Sequence, residues 1–297
     1  MSSILILSLS WTALSGCSHT RVGTDHSAVP RFTKVVLVLF ENMDLDQALS
    51  QPFFSKIAQE GALLKNFHAI THPSQPNYIA LTSGDTHGVK DDGNHDLEVR
   101  HLGDLLEEKR KTWKNYAENY PGNCFLESQS QLYVRKHTPF LSYMNVQSSD
   151  RCDRIVNAAE FKKDLKKGKL PDFSFYTPNM IHDGHDSDAS TADRWFKKTF
   201  GPLLNDAQFK DVLLIVTFDE NSCNTIGPHG TKAKLAKCKG DPNLIYTAFY
   251  GGMVKPGATS NGEYNHYHLL RTIENGLGLG TLGLQDEAAT AITDIWK

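Results

Sequence analysis

Two short polar strings in this chain carry residues that are suited to bind a cation. Glu41 and Asn42 come directly after the apolar run Lys34–Phe40, and Asp219 and Glu220 follow a second such run. Continuous apolar runs without alternation are typical of parallel strands that are covered on both faces. Because ligand-binding groups collect at the carboxyl ends of such strands, we expect these four side chains to lie close together. Their oxygen atoms suit a divalent cation.

A serine that could act as a nucleophile lies between the two strings. Ser74 followed by Pro76, with Gly84 at the far end, predicts a short helix over Pro76–Ser83. A hydroxyl at a helix N-terminus faces free backbone N–H groups and the positive end of the helix dipole, which favour a phosphate and an ionised oxygen. Asn77 can donate an amide hydrogen bond to a phosphoryl oxygen. The alternative, which the sequence leaves open, is that Ser74 is a plain helix cap.

Five motifs in this order resemble the phosphoesterase family, which includes acid phosphatases and bacterial and plant phospholipases C within the alkaline-phosphatase-like superfamily. The motifs are Phe40-Glu41-Asn42, His72-Pro-Ser-Gln-Pro-Asn-Tyr78, His182-Asp-Gly-His-Asp186, Phe218-Asp-Glu220 and the string from His266 to Glu274. The resemblance extends from about Phe32 to the C-terminus. It implies one phosphoesterase domain over 32–297, built as an α/β fold: a three-layer α/β/α sandwich with a mostly parallel central sheet.

The resemblance implies a metal-dependent phosphoric ester hydrolase with a serine nucleophile. Ser74 matches the nucleophile, which forms a phosphoserine that water then hydrolyses. Asn77 matches an amide that binds a phosphoryl oxygen. A bound cation would lower the pKa of the serine and neutralise charge on the phosphoryl oxygens. The positions that match its ligands are Glu41, Asn42, Ser74, Asp219 and Glu220.

The other half of the matched site contains histidines and aspartates. Asp183 and His185 match residues that position the phosphate and protonate the leaving oxygen. His266 matches a late histidine that contacts the phosphate. Asp186 and His182 match positions that hold a second metal or contact the phosphate, and the sequence leaves these roles open.

The expected ligands differ from those of superfamily members with two zinc ions. In those members, Asp and His residues surround the metals, often with Asp-His-Gly late in the chain, whereas the equivalent string here is Asp219-Glu220-Asn221. Hard oxygen ligands disfavour zinc and favour calcium, magnesium or manganese. We therefore expect one such divalent cation, with a second metal as the alternative.

A segment rich in Tyr, Gln and Ser, from Asn119 to Asp150, is predicted to be irregular. Such insertions commonly carry functional residues, so we expect it to lie over the active site and to set the substrate. Its residues Tyr133, Arg135, Lys136 and His137 could contact a polar head group, but a charged surface loop is the favoured interpretation.

The remaining histidines give weaker signals. His68 and His72 lie just upstream of Ser74, and the sequence leaves open whether they touch the substrate. His229 is predicted to lie in a solvated loop. The histidines whose spacing does not suggest ligation are His26, His87, His95, His101 and His137.

The first residues predict export and a lipid anchor. The apolar stretch Ile4–Leu14 has the length of a signal peptide and is too short to span a bilayer, and the cysteine motif that follows resembles a bacterial lipobox. We expect a signal peptide over 1–16, lipidation at Cys17 and a polar tether over 17–31. The protein would then lie at the bacterial cell envelope, lipid-anchored, or be periplasmic or secreted. The start lacks Lys and Arg, and a plain signal peptide is the alternative.

The sequence contains four further cysteines and has a net charge of −3, which bear on disulfides and on the class of partner. An even cysteine count in an exported protein suggests disulfides, and although four cysteines allow three pairings, proximity favours Cys124–Cys152 and Cys223–Cys238. The near-neutral charge without a basic stripe argues against a nucleic-acid partner. The expected partners are a small phosphate ester and, through the anchor, the membrane. The sequence does not set the oligomeric state.

Periodicity predicts strands that alternate with helices, which is typical of a mostly parallel sheet between helical layers. The predicted strands are Lys34–Phe40, Leu63–Phe67, Thr112–Tyr116, Asp172–Tyr176, Val212–Phe218 and Thr247–Tyr250. The predicted helices are Pro52–Glu60, Pro76–Ser83, Leu102–Lys109, Ala158–Lys166, Thr191–Asp206 and Tyr267–Gly276.

Three functions are compatible with these features. The favoured one is an acid-phosphatase-like phosphomonoesterase. The second is a phospholipase C that acts on phosphodiester lipids, although the chain lacks the long C-terminal region of several larger phospholipases of the family. The third is a non-catalytic surface lipoprotein with a relic metal site, which the intact ligand and serine matches disfavour.

Overall fold

The described part of the chain begins with the last residues of the predicted tether, 29–31. A computed structural model of the chain describes residues 29–207, 209–223 and 240–297. The predicted signal peptide and four positions named in the sequence analysis lie outside the described residues: Cys17, His26, His229 and Cys238. Val29 is buried, and Arg31 donates a hydrogen bond to the backbone oxygen of Asn275 at 3.1 Å. The last residues of the predicted tether therefore already contact the domain.

Strands and helices alternate along most of the described chain. The strands are β1 (Lys34–Phe40), β2 (Ala62–Leu64), β3 (Phe67–His68), β4 (Trp113–Ala117), β5 (Gln129–Ser130), β6 (Tyr133–Val134), β7 (Ile155–Asn157), β8 (Phe173–Thr177), β9 (Val212–Phe218), β10 (Thr247–Tyr250), β11 (Ala258–Ser260) and β12 (Tyr264–Asn265). The helices are α1 (Leu45–Leu49), α2 (Pro52–Glu60), α3 (Ser74–Ser83), α4 (Leu102–Glu108), α5 (Met144–Gln147), α6 (Ala159–Lys166), α7 (Ala189–Phe200), α8 (His266–Leu277) and α9 (Gln285–Ala288). None of the helices in these ranges is long and apolar enough to cross a membrane.

One large sheet organises the described strands. Its order is β11-β2-β10-β9-β1-β8-β4-β7, and only β10 runs antiparallel to its neighbours. Strand β1 lies near the centre, parallel to both β8 and β9. Every residue of β9 is buried, as the continuous apolar run predicted. The predicted mostly parallel sheet is therefore confirmed.

Helices cover both faces of the sheet around β1. On one face, the ring of Phe40 lies 5.2 Å from the ring of Phe54 in α2 and 5.4 Å from that of Phe196 in α7. Phe175 of β8 pairs with a β1 residue three positions before Phe40, so it points to the opposite face. There its ring lies 6.3 Å from that of Tyr78 in α3. This arrangement is the predicted three-layer α/β/α sandwich.

Most predicted elements lie where periodicity placed them, and the exceptions have local causes. The predicted strand over 63–67 is two short strands, β2 and β3. The predicted helix over 191–206 already ends at Phe200 and continues as a 3₁₀ turn, Gly201–Leu203. Pro202 lacks the N–H group that would continue the α-helical pattern. Strands β7, β11 and β12 and helix α1 were not predicted, because each has at most five residues and shows little periodicity.

The segment 119–150 is irregular, as predicted, and a disulfide fixes it to the domain. Its regular structure is the hairpin of β5 and β6, two 3₁₀ turns and the short helix α5. Cys124 and Cys152 are disulfide-bonded with their Cα atoms 5.6 Å apart, which confirms this predicted pairing. Cys223 is also disulfide-bonded. Its predicted pairing with Cys238 stays a prediction.

Candidate active site

The ends of β1 and β9 lie side by side and bring the two polar strings together. Phe40 and Phe218 are register partners, and the N–H of Asp219 donates to the carbonyl oxygen of Phe40 at 3.0 Å. The backbone N–H of Asn42 donates to Asp219 Oδ1, also at 3.0 Å. On the other side, His266 Nε2 donates to the backbone oxygen of Asp219 at 2.9 Å. Asp219 is thus held from two directions.

Ser74 lies at the start of α3 and its hydroxyl is directed at Glu41. Ser74 Oγ donates to Glu41 Oε2 at 3.0 Å, and the same oxygen accepts from Asn42 Nδ2 at 2.9 Å. The hydroxyl of Tyr78 donates to the other Glu41 oxygen. Helix α3 begins at Ser74, with Pro73 as the N-cap residue and no side-chain cap. The cap interpretation of Ser74 is therefore wrong, since its hydroxyl bonds to a carboxylate of another element.

A histidine that sequence reasoning missed joins this group. His137 is buried, with Nε2 3.2 Å from Glu41 Oε1 and Nδ1 3.4 Å from Asp183 Oδ2. Its ring stacks on Tyr78 at a centroid distance of 5.3 Å. The interpretation of residues 133–137 as a surface loop is wrong, because Tyr133, Arg135 and His137 are all buried. No spacing in the sequence signalled this contact.

Glu41, His137 and Asp183 form a buried cluster of opposite charges. Burial alone would raise the pKa of Glu41, but the His137 imidazolium holds that pKa well below its usual range. Burial would lower the pKa of His137, yet the charges of Glu41 and Asp183 raise it to about 9. Burial raises the pKa of Asp183 to about 6 against the opposing effect of His137. At neutral pH, a cationic imidazole therefore lies between two carboxylates.

The motif 182–186 places Asp183 and His185 at this cluster. The backbone N–H of Glu41 donates to the carbonyl oxygen of Asp183 at 3.0 Å, which fixes the motif against the end of β1. The backbone N–H of His185 donates to Asp183 Oδ1 at 2.8 Å, and its Nδ1 lies 2.7 Å from Asp186 Oδ1. Burial lowers the pKa of His185 to about 4, so this imidazole is neutral in weakly acidic and neutral solution.

His182, another motif residue, is engaged away from this cluster. His182 Nδ1 lies 2.7 Å from Glu118 Oε2, and its ring stacks on Trp195 at a centroid distance of 5.6 Å. These two contacts hold the His182 side chain against Glu118 and Trp195, and the structure does not test a role in phosphate or metal binding. Such a role stays a prediction.

The two histidines upstream of Ser74, His68 and His72, differ in whether they contact the site. His72 Nδ1 bonds to Glu220 Oε2, and its Nε2 lies 3.4 Å from Cys223 Sγ. His72 therefore contacts the site through a predicted metal ligand. His68 bonds instead to the side chain of Asn66 and a backbone oxygen, so the structure brings only His72 to the site.

The side chains of Asn77 and His266 form hydrogen bonds with backbone groups, Asn77 with the loop 70–73 and His266 with Asp219. The Asn77 side chain accepts from the N–H groups of Ile70 and Thr71 and donates to the carbonyl oxygens of Thr71 and Pro73, at 2.9–3.2 Å. Both of its amide hydrogens are therefore used to hold the loop before Ser74. Burial lowers the pKa of His266 to about 4, so it is neutral while it holds Asp219. The predicted contacts of both side chains with phosphate stay predictions.

The side chains at the strand ends offer oxygen donors, the type that a hard cation prefers. Burial raises the pKa of Asp219 well above its usual range, and the charges of Glu41 and Glu220 add to this. Asp219 Oδ2 is buried and accepts no hydrogen bond from the described residues. An oxygen of this kind is suited to a cation. Across the described ranges, however, no three His, Cys, Asp or Glu side chains are arranged to hold a metal. The predicted cation therefore stays a prediction.

Comparisons with known proteins agree on one family. The family model described as "Phosphoesterase family" matches residues 35–280. A probable acid phosphatase from Kluyveromyces lactis is 34% identical over 88% of this chain and 62% of its own length. A phosphatidylinositol-3-phosphatase from Mycobacterium tuberculosis is 32% identical over 93% of this chain and 87% of its own length. This chain spans about three fifths of the length of the fungal acid phosphatases it matches.

A solved structure supports the fold. A protein of the alkaline phosphatase superfamily from Vibrio parahaemolyticus shares the fold with a TM-score of 0.59 at 13% identity, over 89% of this chain and 72% of that one. The likeness in fold agrees with the parallel sheet and its two helical layers. The match of the family model across most of the chain, together with these relatives, leads to one conclusion: this chain belongs to the Phosphoesterase family.

Proposed function

We propose that this protein is a phosphoric ester hydrolase that acts on phosphomonoesters and uses Ser74 as its nucleophile. The observation that carries the proposal is the hydrogen bond from Ser74 Oγ to Glu41 Oε2. The Ser74 hydroxyl is buried and lies at the N-terminus of α3, where backbone N–H groups and the helix dipole favour a phosphate. The names of the relatives, acid phosphatase and phosphatidylinositol-3-phosphatase, support a phosphomonoester substrate.

The contacts around Ser74 suggest how the chain would carry out this reaction. Because the Ser74 hydroxyl donates its proton to Glu41 Oε2, the lone pairs of Oγ are available to attack the phosphorus atom. The Oγ–P bond would form as the ester P–O bond breaks, the hydroxyl proton would pass to Glu41 Oε2, and the leaving alkoxide would take a proton from solvent. Water would then cleave the P–Oγ bond to release phosphate, and Glu41 would return the proton to Oγ. His185 donates through Nδ1 to Asp186, so in its neutral form Nε2 carries the lone pair that can accept a proton from that water. Asp183 would orient His185 through its backbone N–H.

A divalent cation is part of the proposal. Glu41, Asn42, Ser74, Asp219 and Glu220 would hold it. When bound, it would stabilise the serine alkoxide and the charge on the phosphoryl oxygens. The support comes from the all-oxygen donor set and from Asp219 Oδ2, which is buried and has no hydrogen-bond partner within 3.5 Å among the residues that the structure describes. Calcium, magnesium or manganese would suit such donors better than zinc.

Side-by-side assays test the proposal against its alternatives. Purified protein is incubated with p-nitrophenyl phosphate, a monoester, and with phosphatidylcholine, a diester lipid, each with and without a chelator. We expect hydrolysis of the monoester that the chelator abolishes. A preference for phosphatidylcholine would instead establish a phospholipase C. Inactivity on both substrates with every divalent ion tested would support the non-catalytic alternative.

We also propose that the protein is exported and anchored through lipid on Cys17. The support is the lipobox-like sequence, together with the Cys124–Cys152 disulfide, which is a bond that persists in oxidising compartments. Labelling with a radioactive fatty acid in a bacterial host tests the anchor. The wild-type chain should incorporate label, and the Cys17→Ala variant should not. Label in neither chain would mean that the plain signal peptide is correct.

A further inference from the structure

A largely buried lysine lies next to the site without a role in the proposed chemistry. The side chain of Lys136 is 15% exposed, and its Nζ donates to Asp92 Oδ2 at 2.9 Å. Lys136 directly precedes His137, so the segment delivers two cationic side chains in succession. Long charged side chains are seldom buried without a reason that offsets the desolvation.

The charge of Lys136 acts on the active-site residues. Burial would lower its pKa, but the carboxylates of Glu41, Asp92 and Asp219 raise it, so this lysine stays protonated. Its positive charge in turn contributes to the lowered pKa of His185. Lys136 therefore lies within electrostatic reach of residues on both sides of the site.

Asp92 connects this lysine to the nucleophile's own helix turn. While Oδ2 of Asp92 accepts from Lys136, its Oδ1 accepts from the backbone N–H of Gln75 at 3.0 Å. Gln75 is the residue after Ser74. One carboxylate therefore links the ammonium group to the first turn of α3, the turn that begins with Ser74.

We propose that Lys136 binds a non-bridging oxygen of the substrate's phosphoryl group and thereby selects dianionic phosphomonoesters over monoanionic phosphodiesters. This inference rests on the proposed function and names its substrate class. A monoester carries close to two negative charges at neutral pH, because its second pKa is about 6. A diester carries one. His137 already faces Glu41 with one positive charge, and Lys136, linked through Asp92 to the first turn of α3, supplies a second one that attracts the dianion more strongly.

The test compares two soluble substrates with the same leaving group, p-nitrophenyl phosphate and bis(p-nitrophenyl) phosphate. Lys136→Met removes the charge but keeps most of the apolar stem, and Lys136→Gln is made as well so that the result does not depend on one replacement folding. Lys136→Arg keeps the charge. Lys114→Gln is the matched control, since Lys114 is also partly buried and pairs with Asp164 at 2.6 Å. Circular dichroism checks that each variant is folded.

We expect the charge-removing variants to lower kcat/KM for the monoester by about 10- to 100-fold, the range for loss of one charged hydrogen bond, with KM rising more than kcat falls. The diester should change less than about threefold, because it lacks the second charge. Lys136→Arg should retain most activity, and Lys114→Gln should match the wild type. A purely structural lysine would lower both activities equally, and that result would overturn the inference while the proposed function stood.

A binding measurement separates failure of the inference from failure of the proposed function. If the wild type hydrolyses neither ester, the proposed function fails, and titration calorimetry with inorganic phosphate decides the role of Lys136. Binding that is about tenfold weaker in Lys136→Met would support phosphate recognition by this lysine. Equal binding in the two proteins, or none in the wild type, would overturn it.

Discussion

The hydroxyl of Ser74 donates to Glu41 across 3.0 Å and so joins the first residue of helix α3 to the end of strand β1. The two residues are 33 positions apart in the chain. Because Glu41 also accepts from Asn42 and Tyr78 and faces His137, its carboxylate is the centre of the site.

Removing the His137 imidazole should destabilise the protein strongly. In His137→Ala, the buried carboxylates of Glu41 and Asp183 lose the cation between them, and an uncompensated buried charge costs about 3–5 kcal/mol. Chemical denaturation of the wild type and the variant at pH 7 measures the difference. His95→Ala is the control, because His95 forms a surface pair with Asp91 and should change the free energy of unfolding by less than about 1 kcal/mol. If His137→Ala lowers the free energy of unfolding no more than His95→Ala does, the contacts of His137 with Glu41 and Asp183 do not stabilise the fold.

The contact of His137 with Glu41 was not predicted from the sequence, whereas much of the rest of the site was. Strands β1 and β9 were predicted with their observed bounds, because a strand buried on both faces must be apolar throughout. Their polar ends, Glu41 and Asp219, were predicted to meet, and they do. His137 reaches Glu41 only through the folding of the irregular segment 119–150, whose disulfide and turns follow no period. Nothing local in such a segment indicates which side chains face inward.

Asn77 shows a second limit. Its position in the first turn of α3 was predicted, since the helix signals were local. Its four hydrogen bonds with residues 70–73 depend on the path of the preceding loop, which no propensity sets. The sequence therefore indicated that an amide lies near Ser74, and the structure was needed to show what that amide holds.

Asp219→Asn should separate metal binding from the stability of the metal-free protein. The change removes a buried carboxylate that Glu41 and Glu220 repel, so the metal-free variant should melt no lower than the metal-free wild type. Calcium, magnesium or manganese should raise the melting temperature of the wild type by mass action and leave the variant unchanged.

Scanning calorimetry of chelated protein with each added ion makes the comparison. If zinc alone restores activity, at two ions per chain, the single-cation account is wrong and Asp183, His185 and His266 become ligand candidates. An equal rise in the melting temperature of Asp219→Asn would exclude Asp219 as a ligand.

Glu274 should make the protein less stable as pH rises. This carboxyl is buried, and burial together with the nearby charge of Asp286 raises its pKa to about 9 from 4.5. The folded state then binds a proton that the unfolded state releases, so the contribution of Glu274 to stability is largest below about pH 4.5 and is lost progressively toward pH 9. Glu274→Gln should therefore be more stable than the wild type at pH 8 by at least about 1 kcal/mol.

Urea denaturation at pH 5 and pH 8 tests this effect. The gain from Glu274→Gln should be much smaller at pH 5, where the carboxyl is protonated in the folded state and mostly ionised only in the unfolded one. Glu287→Gln, at an exposed neighbouring position, should show no such dependence. A gain in Glu274→Gln that is the same at both pH values would mean that Glu274 titrates normally.

The proposed reaction passes through a covalent phosphoserine on Ser74, and this intermediate can be trapped. Wild type, Ser74→Ala and the neighbouring control Ser83→Ala are mixed with a phosphomonoester, quenched in acid within the first turnover and digested for mass spectrometry. We expect one phosphoryl group on the peptide that contains Ser74, in the wild type and in Ser83→Ala. Ser74→Ala should lack it and should lose several orders of magnitude in kcat while it keeps its fold. Substantial turnover by Ser74→Ala, or a phosphoryl group on another residue, would show that Ser74 is not the nucleophile.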